Sequence, residues 1–341
     1  MNNGRLAGLA AITVTSLLWG TTGTAATFAP AVGPLAIGAA ALGVGGLLQA
    51  AIALPALRAA QSLLVRQRRT VVLGAVAVAV YPLAFYSSMH LAGVAIGSVV
   101  SLASAPLASG LLELFLDRRP LSRWWAVAAA LGVVGSVLLC ASRIDAPLGS
   151  AAESTARTLA GILLGLVAGL AYAAYSWAVH RLMDRGIGRA ASMGAVFGAG
   201  GALLMPVLLL TGAPILATGG SVLVAAYMAL VPMFLGYLLF GFGLTRVAPS
   251  TATTVTLTEP AVATLLAVVV VGEELAPLGW AGLLCISLVL VVLAVAPATA
   301  GPETPRRTRR PGGVRGQDNG AVSAPRARTG AAAERTNTST P

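Results

Sequence analysis

Few residues in this sequence could do chemistry, and the first of them is Glu259. It precedes Pro260 inside Val255–Leu275, VTLTEPAVATLLAVVVVGEEL, a run apolar enough to cross a bilayer. A charge at the centre of a membrane helix costs about 2.5–3.5 kcal/mol on insertion scales, so it is kept where it faces a protein interior or a watery cavity. The proline removes a backbone N–H and frees a carbonyl, which only a neighbouring helix or water can satisfy. Glu259-Pro260 therefore reads as an interior break in a membrane-crossing helix. Two roles are open to the carboxyl group. It binds an amine or cationic group of a solute, or exchanges a proton with it; or it is an inert structural cap near Pro260. Thr256, three residues earlier on the same helical face, shares either role.

Glu113 is the second acidic residue within an apolar run. Pro106, Gly110 at i+4 and Glu113 at i+7 point the same way on a helix. Glu113 lies nearer the helix end, where Arg118 or Arg119 can pair with it by snorkelling, so an interfacial ion pair competes with a ligand role. Trp19, Tyr81, Tyr86, Tyr172, Tyr237 and Phe240 are aromatics within apolar runs. They either pack against helices and lipid or line a pocket with cation–π and stacking contacts. Tyr81 stands out because it abuts Pro82. Trp124, Trp125 and Trp280 fall at run ends and fit an interfacial aromatic belt. His90 and His180 sit at helix ends with no second ligand at metal spacing, and Cys140 and Cys285 lie singly, so neither metal nor cofactor is expected. GVGG (Gly43–Gly46) and GAGG (Gly198–Gly201) have no strand–turn–helix context and no lysine, and read as close helix contacts. Paired aspartates, HExxH and nucleophile–base sets are absent from the apolar runs, which argues against an enzyme.

The elements that must carry these residues follow from composition. Of 341 residues 57% are hydrophobic and only 10% charged, with a mean hydropathy of +0.86, whereas about a quarter of a soluble domain is charged. Runs of membrane-crossing length recur, rich in Ala, Leu and Gly and without alternation, so the class is an all-α integral membrane protein rather than a β-barrel. Ten spans are expected: Leu6–Phe28, Pro34–Leu54, Val71–His90 (interrupted at Tyr81-Pro82), Val94–Leu116, Trp124–Ala141, Leu159–His180, Ala191–Leu210, Ser221–Leu244, Ser250–Val271 and Leu278–Ala296. The formal charge of +11 comes entirely from arginine, with no lysine, and clusters in short loops and in the tail. That is the positive-inside pattern rather than a nucleic-acid footprint, and it puts both termini in the cytoplasm of a cell-membrane protein. Residues 143–158 form a charge-balanced, non-cytoplasmic linker between residues 1–142 and 159–296. Residues 297–341, rich in Arg, Pro and Gly, should be a disordered basic cytoplasmic tail.

The two halves repeat weakly. SVVSLASAPLASGLLELFLDRRPLSRWWAV in the fourth span aligns with TTVTLTEPAVATLLAVVVVGEELAPLGWAG in the ninth, with Pro106 on Pro260; Pro82 and Pro232 lie inside the third and eighth. Five spans per half insert in opposite orientations, and inverted repeats with interrupted helices mark secondary transporters. Residues 1 to about 296 resemble the drug/metabolite transporter superfamily, of the type with two EamA domains. LLWGT (Leu17–Thr21) resembles the start of its first helix, AGLAYAAYSWAVHRLM (Ala168–Met183) the opening of its second repeat, and Ala248–Leu275 its most recognisable segment, with Glu259-Pro260 and Gly272-Glu273. Two positions depart from it. Ala39-Ala40-Ala41 stands where such proteins often carry Arg, and Asp117-Arg118 where the first repeat usually ends in Gly-Glu.

The resemblance implies a ten-helix permease of two inverted five-helix repeats, residues 1–142 and 159–296, working by alternating access and commonly exporting small metabolites, amino acids or drugs. Uptake, or a non-transporting scaffold or sensor, is the alternative. Spans 3, 4, 8 and 9 should surround the cavity. Its partners are a small-molecule solute, the bilayer and a coupling ion such as a proton, without nucleic acid. The oligomeric state is left open.

Overall fold

The computed structural model describes residues 3–92, 94–141, 153–266, 268, 269 and 276–296, and every regular element among them is helical. Apart from a short 3-10 helix at Ala213–Ala217, in order they are α1 (Asn3–Thr27), α2 (Pro34–Ile52), α3 (Leu54–Ala59), α4 (Gln61–Arg66), α5 (Arg68–Ala92), α6 (Val94–Leu116), α7 (Arg123–Ala141), α8 (Glu153–Asp184), α9 (Arg189–Thr211), α10 (Gly219–Leu244), α11 (Pro249–Val255), α12 (Thr258–Leu266) and α13 (Pro277–Val295). Among the described residues eight helices are long and apolar enough to cross a membrane, and part of α7 is apolar but shorter. Large side chains such as Leu209 and Leu210 lie 84% and 86% exposed. An apolar surface of this kind suits contact with lipid.

Several expected boundaries shift. The short helix α3 runs into the expected Arg58–Arg69 loop and α4 lies within it, and α8 begins at Glu153, inside the stretch expected to be linker. Pro82 does not interrupt α5, which runs through it. The irregular backbone lies elsewhere. Ala39–Val44 of α2 and Ala229–Leu235 of α10 are π-helical, the second around Pro232. The ninth span breaks at Thr256-Leu257, just before Glu259-Pro260, so Pro260 sits in the first turn of α12, where a missing N–H costs little. The linker residues 142–152, Gly272-Glu273 and the tail 297–341 lie outside the described residues.

Packing brings the halves of the chain together. α5 lies along α8, α6 packs on both α8 and α11, α9 crosses α2 and α5, α7 pairs with α13, and α1 lies against α10 and α12. Glycines set the α2–α9 crossing. A methyl on Gly46 would lie 2.3 Å from the Phe197 carbonyl oxygen, and one on Gly201 would lie 2.6 Å from that of Gly43. The GVGG and GAGG runs are thus pressed against each other, as small residues allow. The arginine-rich ends also meet. Arg181 pairs with Asp117 at 2.7 Å, Arg119 with Asp184 at 2.9 Å, and Arg5 hydrogen-bonds the Ala296 carbonyl. Asp117 accepts from Trp177 Nε1 at 2.9 Å as well, while Arg118 beside it takes the left-handed conformation (φ 53°) to turn the chain out of α6.

Candidate functional site

The ninth span enters the bundle at Pro249 as a polar half-helix. Ser250, Thr253, Thr254 and Thr256 are all buried. Each threonine hydroxyl finds an acceptor one turn back on its own helix: Thr253 and Thr254 donate to the Pro249 and Ser250 carbonyls at 2.9 and 2.7 Å, and Thr256 to Thr253 at 2.9 Å. Such back-bonding satisfies hydroxyls without water and loosens the helix. The chain then turns at Thr256-Leu257. Since the Thr256 proton goes to Thr253, the Tyr172 hydroxyl is the donor in its 2.9 Å bond to Thr256 Oγ1.

The start of α11 is held by Glu113. One carboxylate oxygen accepts from the Ser250 backbone N–H at 2.7 Å and the other from the Ser250 hydroxyl at 2.8 Å. Glu113 therefore caps a helix N-terminus, where a negative charge is favoured. Of the two partners anticipated from sequence, Arg118 and Arg119, the second is otherwise engaged, its guanidinium pairing with Asp184. Pro106, two turns earlier on the same face, is buried in a continuous α6.

Glu259 stands at the start of α12 with a different fate. It is buried, 9% exposed, and its Oε2 has no hydrogen-bond partner. It lines a cavity together with Trp19 and Thr22 of α1, Gly38, Ala41 and Leu42 of α2, Tyr81, Pro82, Phe85 and Tyr86 of α5, and Met233 and Tyr237 of α10. The π segments of α2 and α10 and the broken ninth span thus meet at one place, as expected where irregular backbone lines a cavity. α1 and α2 supply walls that the sequence assigned to the fourth span. Thr256 and Pro260 flank the cavity's carboxylate in sequence but do not line it.

Around the cavity the aromatic rings form one network. Trp19 lies 4.8 Å from Tyr237, 5.5 Å from Phe240 and 6.0 Å from Tyr172, while Tyr81 lies 5.6 Å from Tyr172 and 5.5 Å from Phe85. Tyr175 joins it through Tyr172 at 5.2 Å and through a 2.8 Å bond between its hydroxyl and that of Tyr237. Five of the six tyrosines belong to this network, Tyr86 through Phe85. Trp19 Nε1 donates to the Pro232 carbonyl at 2.9 Å, which pins α1 to the π segment of α10, and the Thr15 hydroxyl lies between the Ala11 carbonyl of its own helix at 3.0 Å and that of Gly236 at 3.1 Å. Trp125 is buried against α6, and Trp124 and Trp280 remain outside. Sequence reasoning missed Phe85, Tyr175, Phe197, Thr22 and Met233; only Tyr175 carried a signal, three residues after Tyr172 on the same face.

The cavity holds about 20 Å³ of space open to water, enough for one or two water molecules and too little for a solute. The arrangement is an acidic group with one oxygen unspoken for, walled by π faces.

Comparison with known proteins decides the family. An uncharacterised transporter of Bacillus subtilis (strain 168), YwfM, is 34% identical over 294 residues, which cover 84% of this chain and 93% of that protein. The EamA-like transporter family matches residues 159–295. The chain belongs to that family. It is a multi-pass membrane transporter, and its family implies a small-molecule solute and the bilayer as partners. A solved crystal structure shares the fold of this EamA-like transporter, with a TM-score of 0.68 and 23% identity over 86% of this chain and 96% of the other.

Proposed function

We propose that this EamA-like transporter moves a small solute bearing an amine or cationic group by alternating access, and that Glu259 binds that group or exchanges a proton with it. The observation that carries the reading is the buried Glu259 Oε2 without a partner in an aromatic cavity. A carboxylate with a free oxygen attracts a cation, and the faces of Trp19, Tyr81 and Tyr237 add cation–π attraction, about 0.5–2 kcal/mol per well-placed ring. Thr256 and Pro260 shape the turn that presents it, Glu113 and Pro106 belong to the scaffold of the neighbouring helix, and the solute's or a proton's gradient supplies the energy.

The reading of residues 1–142 and 159–296 as two inverted five-helix repeats is supported by reciprocal packing. α5 lies on α8 and, in exchange, α10 on α1; α6 lies on α8 and α12 on α1; α9 touches α5 and α2 touches α10. The self-paired contacts are α2 with α9, α6 with α11 and α7 with α13. That is the pattern a pseudo-twofold axis in the membrane plane generates. We read the described state as occluded, since the cavity is too small for cargo, and the two π segments as the places where helices re-register on opening. The arginine-rich ends gathered on one side support cytoplasmic termini in a cell-membrane protein. The family resemblance favours export, with uptake as the alternative direction.

The test is transport by purified protein in proteoliposomes, screened over amines, amino acids and cationic drugs. A substrate should appear whose flux collapses in Glu259→Gln while the protein stays folded. If Glu259→Gln carries every such substrate at the wild-type rate, from acidic to neutral pH, the role given to Glu259 is wrong.

A further inference from the structure

Residues 54–69, which comprise α3, α4 and the start of α5, form a strap at one end of the bundle. The strap follows α2 and leads into α5, both of membrane-crossing length, so connectivity puts it at the bilayer surface. Its inner side belongs to the core. Ala56, Leu57, Ala60 and Leu64 pack against buried residues, and a methyl on Gly194 of α9 would lie 3.5 Å from Leu57 Cδ1. Its outer side is open. Leu54, Leu63 and Val65 are exposed, and so are Arg58, Arg66, Arg68 and Arg69. Leu54 and Arg58 stand four residues apart on α3, and Leu63 and Arg66 three apart on α4, so each leucine shares a helix face with an arginine.

These four arginines differ from others in the chain. Arg119 and Arg181 are held by aspartates, Arg5 bonds the Ala296 carbonyl and Arg246 that of Phe242. Among the described residues, none of the strap's four makes an ion pair, a hydrogen bond or a ring contact. Residues 1–112 contain no acidic residue to neutralise them locally. The chain's own tail is a poor occupant, because residues 297–341 carry eight arginines against three acidic residues. Positive-inside topology accounts for the sign of this charge, but not for the aliphatic side chains exposed beside it. Aliphatics next to unpaired cations suit an interface with anionic lipid, where head groups meet the cations and acyl chains the aliphatics. A guanidinium also grips phosphate through two parallel bonds, which favours a phosphate-bearing head group. We propose that residues 54–69 are a docking surface for anionic phospholipid, with lipid phosphates on Arg58, Arg66, Arg68 and Arg69 and acyl methylenes on Leu54, Leu63 and Val65.

The experiment is native mass spectrometry of the full-length, detergent-solubilised protein, titrated with dioctanoyl phosphatidylglycerol and, separately, with dioctanoyl phosphatidylcholine. Phosphatidylglycerol should bind about tenfold more tightly or better, and raising the salt concentration should narrow the gap. Each arginine near a charged surface is worth about a fivefold change in affinity, so Arg66→Gln alone should weaken phosphatidylglycerol by that factor. Joint replacement of Arg58, Arg66, Arg68 and Arg69 by glutamine should remove the preference. The matched control takes the same charge from the tail, through Arg306→Gln, Arg307→Gln, Arg309→Gln and Arg310→Gln, and should keep it. Equal binding of the two lipids by the wild type overturns the proposal, as does a preference that survives the joint strap substitution. Loss of the preference in the tail variant overturns it by placing the lipid on the tail. Displacement of the lipid by equimolar glycerol 3-phosphate overturns it too, by making a free phosphate ester the ligand. Should the joint variant fail to fold, Arg66→Gln and Arg68→Gln, single changes at exposed positions, decide by the same fivefold criterion. The strap shares no residue with the lining of the Glu259 cavity, and its test measures lipid rather than transport, so either reading can fail without the other.

Discussion

Glu113 and Glu259 are both carboxylic residues buried in an apolar bundle, 5% and 9% exposed, and each stands at the N-terminus of one half of the broken ninth span. Their surroundings differ. Glu113, reaching across from α6, spends both oxygens on Ser250. Glu259, in the first turn of its own half-helix, lines a cavity with Trp19, Tyr81 and Tyr237 and leaves Oε2 without a partner. The fold meets the cost of burying Glu113 with bonds it supplies itself, while Glu259 lacks a protein partner for one oxygen. A buried acid inside a membrane bundle is thus not by itself a ligand site; what separates the two is whether the protein has already filled the acid's lone pairs.

That contrast breaks most visibly in transport. Glu259→Gln keeps the shape and removes the charge. Losing a charge-assisted contact of about 1.5–3 kcal/mol should weaken solute binding by roughly 10- to 150-fold, with the melting temperature held or raised. Glu113→Gln should do the reverse, leaving flux per folded molecule close to wild type. Parallel flux and melting curves on the two variants decide it. Equal flux defects with unchanged melting would erase the distinction between the two glutamates.

Stability gives the mirror image. Glu113→Ala leaves the Ser250 N–H and hydroxyl unpaired in a dry site and removes a favourable charge at a helix N-terminus, a loss of about 1–3 kcal/mol. The variant should melt well below wild type. Glu113→Gln, which retains an acceptor, should recover part of the difference. A smaller effect, about 0.5–1.5 kcal/mol, is expected for Trp19→Phe, which abolishes the donor to the Pro232 carbonyl. Because Trp19 also walls the cavity, that variant should move flux and stability together, which neither glutamate variant does.

Much of this fold was legible from sequence because a bilayer demands about twenty apolar residues per crossing. Helices therefore appear within three residues of the expected ends of every span except the sixth, which begins six residues early, and the ninth. Glu259 was legible for the same reason, as a charge in an apolar run. The break itself was displaced: proline suggested Glu259-Pro260, but the threonines preceding it bond their own carbonyls and let the chain turn at Thr256-Leu257. Pro82, expected to interrupt its span, lies buried in a continuous helix, whereas Pro232 sits in a π segment; nothing local distinguishes those two prolines. The Glu113–Ser250 pairing joins residues 137 apart, so no local spacing encodes it.

The smallest expected effect lies at the arginine-rich end, and it tests the same rule on aspartates. Asp117 has a side chain only 4% exposed and is bonded by Arg181 at 2.7 Å and Trp177 Nε1 at 2.9 Å. Asp184 is 35% exposed and pairs with Arg119, itself 49% exposed. Solvent screens the second pair, so Arg119→Gln should cost no more than about 0.5 kcal/mol, and high salt should remove most of that. Arg181→Gln leaves the Asp117 charge buried with only the indole donor, so its cost should be larger and should persist in salt. Melting both variants at low and high salt separates the cases. If the two substitutions cost the same and fade alike with salt, then burial with internal partners is not what fixes these carboxylates in structural roles, and the assignment of Glu113 to structure loses its physical basis too.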